Sequence, residues 1–72
     1  MSNRRMMYDA AVAHAKGHIE KHKANVEIYF NQSVGIGEHG DIMETIEKEL
    51  NFIAQYHDQL EVLEKYFKDT TI

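Results

Sequence analysis

Two arms with a sustained helical period flank a connector that neither could continue through: Asn31-Gln32-Ser33-Val34-Gly35-Ile36-Gly37-Glu38-His39-Gly40-Asp41. Three of the four glycines of the chain lie in it. Glycine carries no steric penalty at positive φ, so a helix can end here and the chain reverse. Asp41 then offers a side-chain oxygen to the free amides of a new helix, and Glu44, three residues on, completes a capping box. The expectation is an all-α fold: an antiparallel two-helix hairpin comprising one domain over residues 1–72. Its parts are a helix over about 3–30, a Gly-rich loop over 31–40 and a helix over about 41–68.

The first arm reads at 4-3 spacing through Tyr8, Val12, Ala15, Ile19, His22, Val26 and Tyr29, with Phe30 beside its end. Three heptads of that pattern predict a rod of roughly 40 Å. Ser2 or Asn3 serves as a weak cap, because Arg4 and Arg5 oppose the positive end of the helix dipole. On the far side Met6, Ala10, Ala13, Gly17, Ala24 and Ile28 form a second stripe. Its small residues would let another helix approach closely; exposed alanine also simply favours helix. Gly17 tips the reading towards contact, since an interior glycine costs about 1 kcal/mol against alanine.

The second arm repeats through Ile42, Ile46, Leu50, Ile53, His57, Leu60, Leu63 and Phe67. Asp41, Glu44, Glu47 and Glu49 near its start and Lys65 and Lys68 near its end suit the dipole. Asp69-Thr70-Thr71-Ile72 is expected to fray. Laid antiparallel about the connector, Val26 faces Ile46, His22 faces Leu50, Ile19 faces Ile53, Ala15 faces His57 and Val12 faces Leu60. The matching stripes predict a left-handed hairpin of coiled-coil type. Thr45, Phe52, Tyr56, Gln59, Leu63 and Tyr66 widen the apolar face of this arm beyond what two helices cover. The expected interface is therefore Phe52, Tyr56, Leu63 and Tyr66, with Ala10, Ala13 and Gly17 on the first arm.

Size and composition sharpen that expectation. A chain of 72 residues buries only about 60% of its unfolded surface, and two helices alone are marginal. No cysteine supplies a disulfide or thiolate metal site, and no proline interrupts either arm. Self-association is the remedy left: a homodimer closing a four-helix bundle, or a higher homo-oligomer. The formal charge of −4 argues against nucleic acid as a partner. No apolar run approaches the ~20 residues of a membrane span, and no signal-peptide core follows Arg4-Arg5. A soluble, cytoplasmic protein is expected.

His14, His18 and His22 step along the first arm at intervals of four. Neighbours in this row could share a metal, but the row drifts ~40° per step and all three do not converge. His14 or His18 with His57 across the hairpin, joined by Glu61, forms the alternative metal-binding or regulatory bundle. Solvated or hydrogen-bonded histidines are the plainer reading and the one favoured, with no metal and no cofactor expected. Gly35-Ile36-Gly37-Glu38-His39-Gly40 matches the G-x-G-x-x-G spacing of dinucleotide sites. It follows a helix instead of a strand, and Glu38 would repel a pyrophosphate, so turn chemistry explains it better. Val34 and Ile36 are expected to fold over the end of the hairpin. No nucleophile sits beside a base, H-E-x-x-H is absent, and no enzyme is expected.

The runs Asn25-Val26-Glu27-Ile28-Tyr29-Phe30, Val34-Gly35-Ile36-Gly37-Glu38-His39-Gly40-Asp41-Ile42 and Leu60-Glu61-Val62-Leu63-Glu64-Lys65-Tyr66-Phe67 carry a likeness that extends over most of the chain. Together they resemble small helical proteins of tailed bacteriophages that infect marine bacteria, of the cyanophage or myovirus kind. The resemblance implies a source and no mechanism. It places the chain in the cytoplasm of an infected host or in a virion, with a phage or host protein as a further partner.

Overall fold

The structure, a computed structural model, describes residues 3–32 and 39–68. Two helices, α1 (Asn3–Phe30) and α2 (His39–Val62), pack against each other, and α2 runs on into a π-helical turn, Leu63–Phe67. Among the described residues there is no strand. The expected capping of α1 by Ser2, the folding back of Val34 and Ile36, and the fraying of 69–72 lie outside the described residues.

The helix α1 ends through local bonds. The Asn31 amide donates to the carbonyls of Glu27 and Ile28, and the Gln32 amide to that of Tyr29. The Asn31 side chain adds a bond of 2.7 Å to the Glu27 carbonyl. These satisfy carbonyls that the end of a helix leaves open. At the other end of the hairpin, the Arg4 guanidinium donates to the Phe67 carbonyl at 2.6 Å, tying the start of α1 to the close of the π turn. A cation there also meets the negative end of the second helix.

The expected cap at Asp41 is corrected. The helix begins at His39, so Asp41 lies inside its first turn, where its charge still suits the dipole. Thr45 Oγ1 donates back to the Asp41 carbonyl at 2.8 Å.

Burial defines the seam. On α1 the 4-3 row Tyr8, Val12, Ala15, Ile19, His22, Val26 and Tyr29 is buried or half-buried throughout. On α2 the corresponding row is Ile42, Ile46, Glu49, Ile53, Tyr56, Leu60 and Leu63, again at 4-3 spacing. A contact between His22 and Glu49 locks the rows together. Counting outward from it sets Val26 against Ile46, Ile19 against Ile53, Ala15 against Tyr56 and Val12 against Leu60.

Two expected seam positions are therefore wrong. Leu50 is 47% exposed, and the His57 side chain is 62% exposed and reaches Glu61 on its own helix at 3.4 Å. Their places are taken by Glu49 and Tyr56, one residue earlier in each case. The physical reason is the period. A seam that keeps two helices in contact follows 3.5 residues per turn, and a row drawn at 3.6 slides off it.

Candidate functional site

The drift of the histidine row becomes a geometric fact in three dimensions. His22 lies in the seam, His18 is half-buried at its edge, and His14 is exposed on the flank. Each step of four residues turns the side chain ~40° further from α2. From α2, Phe52 and Tyr56, one turn apart, lean over the same flank. The His22 ring stacks on Phe52, with centroids 4.6 Å apart and planes 14° apart. The His18 ring stacks on Tyr56 at 4.3 Å and 7°. His14 meets His18 edge-on at 4.5 Å. The result is a continuous row of three imidazoles and two aromatic rings along one side of the hairpin.

The row is anchored by a polar layer. His22 Nδ1 and Glu49 Oε1 are 2.6 Å apart, and Asn25 Nδ2 donates to the same oxygen at 3.1 Å. A carboxylate only accepts, so the His22 nitrogen is the donor. Those two donors hold the Glu49 carboxyl below its ordinary value, against the opposing effect of burial. Glu49 is tolerated in a seam position because both donors lie across from it. His18 is placed differently: its Nδ1 is buried and has no hydrogen-bond partner. Burial, followed by the nearby charges of His14, Lys21 and His22, lowers its pKa from the usual imidazole value.

The expected interface residues divide between two surfaces. On α2, Tyr56 and Leu63 are half-buried in the seam row and Phe52 and Tyr66 are exposed beside it, and Phe52 and Tyr56 are already engaged by imidazoles of the same chain. Tyr66 is 65% exposed. Ala10, Ala13 and Gly17 are exposed on α1. A Cβ built on Gly17 would meet nothing within 4 Å, so nothing within the chain requires glycine there. Beside it, an open hollow of about 330 Å³ is lined by Ala13, His14, Gly17, His18 and Lys21.

The three weak metal candidates are not brought together. His14 and His18 adjoin, whereas His57 points to solvent beside Glu61. Among the described residues no group of three or more His, Cys, Asp or Glu could hold a metal ion. Thr45, the threonine among the described residues, has its hydroxyl engaged by the Asp41 backbone carbonyl. The element that sequence reasoning missed is the His22–Glu49–Asn25 layer. Its signal was present: an acid at a 4-3 position opposite a histidine at a 4-3 position.

No family model, curated protein or solved structure matches this chain. No helix among the described residues is long and apolar enough to cross a membrane.

Proposed function

We propose that this chain is a small self-associating protein–protein interaction module, in which two hairpins lie side by side as a four-helix bundle. The observation that carries the reading is uncovered apolar surface. The chain exposes 5777 Å², against about 4,600 Å² expected for a compact monomer of its mass. Its radius of gyration is 16.8 Å, where about 11 Å is usual for this length. Among the described residues only Ala15, Val26 and Ile46 form a buried apolar core, while Met6, Met7, Ile28 and Tyr66 stand exposed. A stable interface takes about 800 Å² from each partner, which this excess can supply.

Charge favours a second copy. The helix α1 carries five basic and three acidic residues, and α2 with its π turn carries seven acidic and two basic. An arrangement that lays α1 of one copy against α2 of the other pairs opposite signs on both sides of a two-fold axis. The flank of Phe52, Tyr56, Leu63 and Tyr66 with the small-residue face of Ala10, Ala13 and Gly17 supplies the contact. On the resemblance to phage proteins, a phage or host protein in an infected cell is the further partner, and no catalytic role is proposed.

The test is sedimentation at micromolar concentration of the wild type, Tyr66→Glu and the double variant Phe52→Ala with Tyr56→Ala. The wild type is expected to be a dimer or larger. Tyr66→Glu should dissociate it, with helicity falling as the dimer is lost, because Tyr66 is exposed within the chain and the lone hairpin is marginal. The double variant should both dissociate and lose helix, because it also strips the rings on which His18 and His22 stack. A wild-type monomer, or unchanged assembly in both variants, would overturn the reading.

A further inference from the structure

Three observations meet at His18. Its ring lies flat against Tyr56, its Nδ1 is buried without a partner, and it stands between His14 and His22 in the row. We propose that His18 is a proton sensor built into the hairpin: taking up a proton there loosens the packing of α1 on α2, so that the fold is firm in neutral solution and weakens in mild acid.

The chemistry follows from donor counting. Neutral imidazole has one N–H and one lone pair, so the buried Nδ1 can stay an unprotonated acceptor. A protonated ring has two N–H donors and a full charge. Its Nδ1–H would then lie buried without an acceptor, which the fold resists. Charges around the ring add to this. On its own helix it faces His14, Lys21 and His22, all cationic or able to become so. On α2 it faces the neutral phenol of Tyr56, with Phe52 over the next imidazole. The acid bonded into the row, Glu49, is engaged by His22 and Asn25. A cation over the Tyr56 face regains some attraction, but that contact provides no acceptor for Nδ1.

Burial and the neighbouring cationic groups place the His18 pKa below the ordinary value of 6.5. The unfolded chain therefore takes up this proton first as pH falls. Above about 6.5 neither state is protonated and stability is unaffected. Below it the unfolded state holds the extra proton, and the ratio of folded to unfolded chain falls by up to about tenfold per pH unit until the folded pKa is reached. Glu49 acts in a separate window. Its lowered pKa gives stability that is present above its ordinary 4.5 and is lost at more acid pH.

The experiment is an NMR pH titration of the His18 ring in the intact chain, with thermal melts at fixed protein concentration between neutral pH and mild acid. His18→Phe, which keeps a flat ring against Tyr56 and removes the proton, is melted alongside. The His18 resonances should titrate below the ordinary imidazole value, and His18→Phe should lose up to about tenfold per pH unit of the wild-type dependence. Titration at or above the ordinary value, or equal pH slopes in the two proteins, would overturn the proposal. If His18→Phe does not fold, the ring titration decides alone. Sedimentation is a separate readout, so failure here leaves the self-association reading standing, and the reverse.

Discussion

The two halves of the seam share one 4-3 spacing and close to different degrees. Towards the connector, Val26, Ile46 and His22 are buried, with Tyr29 and Ile42 half-buried beyond them, and His22, Asn25 and Glu49 form a bonded layer. Nearest the termini, Tyr8, Val12, Leu60 and Leu63 are only half-buried, and Met7 and Tyr66 are 67% and 65% exposed. There the second helix widens into a π turn, held at its end by Arg4. Each helix of a lone pair has one neighbour, so compact aliphatic and bonded polar residues can meet across it. Longer side chains overrun it and project onto the flanks. Spacing thus sets where helices touch but not how deep each contact lies: Val12 and Leu60 match Val26 and Ile46 in size and stay half-buried.

The strongest way to break this comparison is to remove aliphatic volume on each side of it. Ile46→Ala should cost about 2–5 kcal/mol, as for other buried large-to-small changes. That approaches everything a core of this size supplies, so the variant should lose its cooperative melt at room temperature. Leu60→Ala, in the half-buried half, should cost clearly less. Circular dichroism with urea melts checks both, and equal losses would erase the distinction between the halves.

A smaller effect is expected from the polar layer. Glu49→Ala leaves the buried His22 N–H without its acceptor and should lower the melting midpoint by about 5–10 °C. Replacing both His22 and Glu49 by leucine should recover part of that loss, because an apolar pair leaves no donor unsatisfied. If the double variant is worse than the single one, the layer does more than satisfy itself.

The seam of α1 was readable from periodicity alone, because each of its 4-3 positions except His22 is apolar or aromatic. Five of the seven α2 seam positions, Ile42, Ile46, Ile53, Leu60 and Leu63, are readable in the same way. The reading fails at Glu49, which counts there only as an acid suiting the helix dipole, and at Tyr56, which it sets on a neighbouring face. Leu50 and His57 looked the better choices locally. Only the identity of the residue across the seam reverses that preference: His22 makes the acid acceptable, and the small Ala15 opposite leaves room for Tyr56. The drift of the histidines was visible from helix geometry. Their stacking on Phe52 and Tyr56 was not, because it depends on the rotation of α2, which the one-residue error had displaced.

The proposed self-association completes the open half with a second copy, and thermal melting of the wild type across a hundredfold range of protein concentration tests that proposal most directly. Mass action over that range amounts to about 2.7 kcal/mol for a dimer that folds as it associates. The midpoint should therefore rise by several degrees or more from the dilute to the concentrated sample. A midpoint that stays constant, with a monomer in sedimentation at every concentration, would contradict the account.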